Sequence, residues 1–187
     1  MEGEKLNLEE KLIGKKIVYQ GKYLRTEEHH VKLPDGKETK REVVVTPDAV
    51  GILAFSSSEQ LYMVRQFRVA IQKITLEIPA GILEPGEDPI KTAERECEEE
   101  IGMTPKKLDP LFSFYHSVGF STGKIKVYLA DDLTPCHHSK PDSHEFLEVA
   151  TLPFEEVFQK VFRGEIVDSK TLIALLWYNQ IKQNEGK

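Results

Sequence analysis

Between Glu94 and Gly102 the chain reads "ERECEEEIG", with five glutamates, one arginine and one cysteine in its first seven residues. Few local structures accommodate that much like charge. The segment is preceded by Asp88-Pro89 and closed by Gly102, a proline-led start and a glycine stop that bound a helix from Pro89 to about Ile101. At about 100° per residue, Ile90, Cys97 and Ile101 fall on one side, with Ala93 near its edge. Glu96, Glu99 and Glu100 gather on the other side, related by i, i+3 and i+4. The expectation is an apolar stripe on a core, three carboxylates converging outward, and Arg95 bridging to Glu98 or Glu99. Each like-charge pair on such a face costs about 0.2–0.5 kcal/mol, which Arg95 and Lys91 partly offset. Helix geometry alone therefore leaves two readings open, a solvated face or a cradle for a divalent cation.

The rest of the chain supplies a scaffold. "VKLPDGKETKREVVV" reads as a hairpin turning at Pro34-Asp35-Gly36. "AVGILAF" is a buried strand, "QLYMVRQFR" alternates as the next, and "TLEIPAG" is a short strand running into Gly81. "ILEPGEDP" is a turn-rich loop. Strands are expected at "KKLDPLFSFYHSV", "KIKVYLADDL" and "FLEVATL", with a polar loop over 134–146. Two helices follow, "FEEVFQKVFRG" and "SKTLIALLWYNQIKQ", the second carrying Leu172, Leu175, Leu176 and Tyr178 at near-helical spacing. Strands mixed with few helices favour an α+β fold or three-layer sandwich. At 187 residues one full core is available.

Charge and cysteine usage narrow the partners. A net charge of −6 gives no global basic field for nucleic acid or an anionic membrane. No run approaches the roughly 20 apolar residues of a membrane span. The acidic start lacks the apolar segment of a signal peptide. Two cysteines suit a reducing compartment, so the cytoplasm is expected. Cys136, His137, His138 and His144 fit no common zinc spacing, and Cys97 reads as a small core residue.

One spacing exceeds what helix periodicity alone explains. From Gly81 the chain runs through five residues to Glu87, seven to Arg95-Glu96, two to Glu99-Glu100 and one to Gly102. This resembles the Nudix box, G-x5-E-x7-R-E-U-x-E-E-x-G-U, at all seven fixed positions, with Cys97 and Met103 at the two aliphatic positions. The resemblance implies an α/β/α sandwich with a mixed central sheet. It implies Mg²⁺, with Mn²⁺ as a substitute, held by Glu96, Glu100 and the Ala80 carbonyl with Glu99 assisting. Glu87 and Arg95 would brace the loop on the helix.

"RQFR" (65–68), "LEIPAGILEPGE" (76–87), "GEIVDSKTLIALL" (164–176) and the N-terminal segment resemble the ADP-ribose pyrophosphatase branch, which hydrolyses nucleoside diphosphate sugars. That branch implies a homodimer that exchanges an N-terminal antiparallel sheet (1–46) in front of the hydrolase domain (47–187). For an acidic protein binding a pyrophosphate, Arg68 and Arg41 are the expected phosphate contacts. Tyr23 is a candidate to stack on a base and Glu77 to bond a sugar or base. Glu145, in "DSHEFLEV", matches a carboxylate used as general base or distal metal ligand, and His144 could take a proton. Val118 and Gly123 depart from the branch's usual proline and glutamate. They keep GDP-mannose or a dinucleoside polyphosphate open as substrate, and a non-catalytic nucleotide-sugar sensor is the rival outside enzymology.

Overall fold

The computed structural model describes residues 7–57, 59–136 and 146–185, which form two compact units. The first takes the chain up to Pro47 together with Ser117–Gly123. It is a three-stranded antiparallel sheet of β1 (Lys11–Gln20), β2 (Arg25–Lys32) and β3 (Glu38–Val45), with β2 in the centre. The expected turn is present: Gly36 adopts φ +86°, and the Leu33 amide donates to the Lys37 carbonyl at 2.7 Å. The 117–123 segment docks on β3, with the Val44 amide donating to the Phe120 carbonyl at 2.7 Å. Glu27 on β2 is buried, and its carboxyl is held down at about 2 by bonds from His29 and Arg25. β1 is exposed along its whole length, leaving Leu12, Ile13, Ile17, Val18 and Tyr19 in solvent.

The second unit holds Asp48–His116 and the chain from Lys124 onward. Its strands are β4 (Ala49–Ser57), β5 (Gln60–Arg68), β6 (Lys73–Glu77), β7 (Ala80–Ile82), β8 (Met103–Tyr115), β9 (Lys124–Pro135) and β10 (Leu147–Pro153). They form one sheet in the order β10-β5-β4-β9-β8, with β6 added to β5 and β7 to β4. β4 and β9 run parallel while the other pairs are antiparallel, so the sheet is mixed. Among the described residues three helices cover it: α1 (Pro89–Ile101), α2 (Phe154–Phe162) and α3 (Ser169–Glu185).

Alternation along β4 divides the core in two. Val50, Ile52 and Ala54 pack with Ala93, Cys97 and Ile101 of α1. Leu53 and Phe55 pack with Phe154, Val157 and Phe158 of α2 and with Ala174 and Leu175 of α3. Each large apolar side chain fully buried this way stabilises the fold by about 1.5–3 kcal/mol. The layers are helix, sheet, helices, as the sequence pattern implies.

Two local expectations need correction, at β6–β7 and on α1, and α3 shows which of its faces is covered. "TLEIPAG" is two strands rather than one, broken at Ile78-Pro79. Proline has no amide to donate to a ladder, so the chain leaves β5 at Glu77 and rejoins the sheet beside β4 at Ala80. On α3, Leu176 is exposed, and Lys170, Thr171, Ala174 and Leu175 form the buried face. On α1, Ile90 is exposed while Thr92, Ala93, Glu96, Cys97, Glu100 and Ile101 are buried. The helix is rolled so that two of the three grouped carboxylates turn inward.

Candidate active site

The ends of α1 form as its sequence dictates. The Asp88 carboxylate accepts the Ile90 amide at 2.9 Å, Pro89 occupies the first helical turn, and Gly102 closes the helix at φ +66°. Burial of Glu96 and Glu100 follows from what packs on them. The Ala80 amide at the start of β7 donates to Glu100 Oε2 at 2.8 Å. One residue on, Gly81 lies so close to Glu96 that a Cβ there would stand 1.8 Å from its Oε1. No larger side chain fits while Glu96 keeps this position, which gives the glycine of the sequence pattern a physical reason. Side-chain exposures of 9% for Glu96 and 36% for Glu99 separate a carboxylate under the loop from one at its rim.

Arg95 ties the loop to the helix. Its Nη1 donates to Glu96 Oε1 at 2.6 Å and to Glu99 Oε2 at 2.8 Å. Nη2 reaches the Ile82 carbonyl at 3.2 Å, and Nε reaches Glu87 Oε1 at 3.2 Å. Burial opposes the Arg95 charge, but Glu87, Glu96 and Glu99 hold its pKa above the ordinary arginine value. Glu87 is held at about 2, first by Arg95, and its Oε2 accepts the Glu84 amide. Arg95 therefore pairs with Glu99, as expected, and not with Glu98, which bonds the Thr104 hydroxyl instead.

A second charged group lies in the same unit. Glu77, 1% exposed, accepts a bidentate pair from Arg68, Nε at 2.7 Å and Nη2 at 2.6 Å, and a bond from the Thr75 hydroxyl at 2.6 Å. Lys170, also buried, donates to the same carboxylate and lies 3.0 Å from Asp168. Burial pushes the Glu77 carboxyl up, and Arg68 with Lys170 more than offsets this, leaving it at about 2. Glu77 first raises the Arg68 pKa, and the carboxylates of Asp168 and Glu100 raise it further. Glu77 is thus committed to protein partners rather than open to a sugar or base.

Arg68 remains half-exposed beside the loop–helix site, so it is the expected substrate arginine that shares an environment with Glu100. Arg41 and Tyr23 belong to the other unit. Arg41 pairs with Glu10 at 2.6 Å, and Tyr23 is exposed at the β1–β2 turn with the Lys22 ammonium 4.7 Å from its ring centre. Glu145 and His144 lie outside the described residues. Sequence reading missed Asp168 and Lys170, because nothing in "DSKT" signals that a lysine on the first turn of a helix will be buried.

Hard oxygen donors suit Mg²⁺ or Mn²⁺. Among the described residues no three acidic, histidine or cysteine side chains gather as a group that could hold a metal ion. Two buried carboxylates one turn apart, beneath a loop, suit a cation that keeps water and substrate oxygens as its other ligands, which is Mg²⁺'s habit. The residues present fit the ion.

A mixed sheet between helices, with Gly81 of β7 seated on Glu96 and Ala80 bonded to Glu100, defines a loop–helix carboxylate site. Residues 45–175 match the family model "NUDIX domain", and residues 10–44 match "Nucleoside diphosphate sugar hydrolase N-terminal domain". The chain belongs to the Nudix family. It is 41% identical to an ADP-ribose pyrophosphatase of Bacillus subtilis (strain 168), over 95% of this chain and 96% of that one. It is 38% identical to a methanol dehydrogenase activator of Bacillus methanolicus, over 89% and 91%. A crystal structure of an ADP compounds hydrolase shares the fold at TM-score 0.85 and 20% identity, covering 97% of this chain and 98% of that one.

Proposed function

We propose that this protein hydrolyses the pyrophosphate of ADP-ribose, or of a closely related nucleoside diphosphate sugar, to a nucleoside monophosphate and a sugar phosphate. The observation that carries the proposal is the seating of Gly81 on Glu96 beside the Ala80–Glu100 bond. It presents two buried carboxylates at a loop where a metal–pyrophosphate can dock. Similarity along nearly the whole chain to an ADP-ribose pyrophosphatase supports the substrate.

Mg²⁺ would be held by Glu96, Glu100 and the Ala80 carbonyl, with Glu99 assisting. When bound, such an ion neutralises charge developing on the leaving phosphate and acidifies an attacking water. The protein's own contribution is placement. Gly81 and Ala80 fix the carboxylates against the loop, and Arg95 keeps Glu96 and Glu99 together while holding the loop through Glu87 and Ile82. Arg68, oriented by its two bonds to Glu77, offers a guanidinium to phosphate oxygens. Arg41 and Tyr23 are assigned to phosphate and base from the N-terminal sheet, and Glu145 to the proton of the attacking water, by resemblance alone.

The working form we propose is a homodimer exchanging the N-terminal sheet. It is supported by a β1 strand whose apolar residues are exposed along its whole length, an arrangement that calls for a covering partner. Two cysteines outside any disulfide, Cys97 and Cys136, support a reducing, cytoplasmic setting.

The test is turnover with Mg²⁺ on ADP-ribose, GDP-mannose, UDP-glucose and a diadenosine polyphosphate, for wild type and Glu100→Gln. ADP-ribose turning over best, with the variant slower by at least about 10³-fold, is expected if the carboxylate holds the ion. A different best substrate would favour the second reading, another nucleoside diphosphate derivative, for which the departures at Val118 and Gly123 speak. Binding without turnover of any of them would overturn the enzyme reading.

A further inference from the structure

We propose that Lys170 is a positioning residue for the loop–helix site, acting through Glu77 and the first turn of α3. A lysine this deeply buried is tolerated only when its charge is met, and Lys170 is met twice, by Glu77 and by Asp168. The Glu77 contact grips the chain just ahead of the loop, and the Asp168 contact holds Lys170 at the start of α3. Thr171, next to Lys170, accepts the Ile78 amide on its hydroxyl oxygen at 3.0 Å and donates that hydroxyl to Asp168 at 2.6 Å. Asp168 also accepts the Thr171 amide at 3.0 Å. Glu77 and Ile78 are therefore clamped by residues more than ninety positions away. Two residues beyond Ile78, the Ala80 amide meets Glu100, and Gly81 meets Glu96. The path runs through bonded or touching atoms from α3 to both carboxylates of α1.

Pro79 supports the same account. Its carbonyl accepts the Ile52 amide at 2.8 Å, so the bridge between β6 and β7 is fixed to the sheet on one side. The other side is held by the pairing of Glu77 with Val64 on β5, and toward α3 by the Ile78–Thr171 bond and the Glu77–Lys170 ion pair. Without Lys170, Glu77 keeps Arg68 but loses its tie to α3. The loop then gains freedom where about 1 Å of misplacement costs roughly 10²-fold in rate.

The kinetic half of this inference rests on the proposed hydrolysis, and the other half does not. Lys170→Met and Lys170→Arg in the full chain are compared with wild type by residue-resolved amide hydrogen exchange and by steady-state kinetics on ADP-ribose. In Lys170→Met the Ile78 and Ala80 amides are expected to exchange at least about tenfold faster, with the interior amides of α1 unchanged. The kcat should fall about 10- to 100-fold while KM stays within about threefold, because Arg68 keeps both its bonds to Glu77. Lys170→Arg, which can reach the same two carboxylates, should recover most of both effects.

Unchanged exchange at Ile78 and Ala80 would overturn the proposal, as would exchange rising uniformly across α1 or an arginine variant no better than methionine. If wild type fails to hydrolyse ADP-ribose, the functional reading fails and the two amides still decide the role of Lys170. If Lys170→Met does not fold, the same amides measured in Asp168→Asn decide it.

Discussion

Gly81→Ala separates activity from stability at this site. The added Cβ would lie 1.8 Å from Glu96 Oε1, 1.9 Å from Cδ and 2.5 Å from Oε2, whereas ordinary contact begins at 3.4 Å. The clash falls on the far end of a flexible side chain, so the backbone need not move and Glu96 can swing aside. That motion costs the Arg95–Glu96 bond, but Arg95 keeps Glu87, Glu99 and the Ile82 carbonyl. The stability loss is expected to stay near 1 kcal/mol, the size of one typical hydrogen bond. Activity has no such relief. The nearest Glu96 oxygen must retreat by roughly 1.6 Å, and an error of about 1 Å already costs some 10²-fold, or about 2.7 kcal/mol in the barrier. The assay pairs urea unfolding with steady-state ADP-ribose hydrolysis at saturating Mg²⁺. A folded Gly81→Ala protein within threefold of wild-type kcat would refute the placement of Glu96 under the loop as the source of rate.

Two further outcomes follow from buried groups. Glu77 titrates at about 2 in the folded protein against 4.5 ordinarily. Its lowered pKa contributes stability that is fully present above about pH 4.5 and is lost as pH falls toward 2, on the order of 3 kcal/mol. Glu77→Gln should therefore be less stable than wild type at neutral pH and converge on it near pH 2, read from urea unfolding across that range. Equal stability at pH 7 would contradict it. Cys97 is buried, and burial first, then the surrounding glutamates, pushes its thiol up to about 12. A thiol reagent at pH 8 should label the half-buried Cys136 in the native protein and reach Cys97 only on unfolding, as mass spectrometry of labelled peptides would show.

What the sequence determined by itself is local. Asp88, Pro89 and Gly102 set the ends of α1, and Gly36 set a hairpin turn, because caps and turns are decided by bonds spanning two to five residues. The spacing from Gly81 to Gly102 was legible for the same reason, as it lies within one loop and one helix. The continuous apolar run "AVGILAF" sufficed to place a buried strand. The direction in which α1 faces was decided only by tertiary structure. Period alone put Ile90 on the core and three glutamates in solvent. The packing of β7 rolled the helix until Glu96 and Glu100 were covered and Ile90 exposed. No property of Glu77 in "TLEIPAG" distinguishes a ligand contact from a buried brace. Its fate is fixed by Arg68 on β5 and by Lys170 on α3, the latter a partner 93 residues away. A buried charge is stable only where another charge arrives to meet it, and that meeting is a property of the fold.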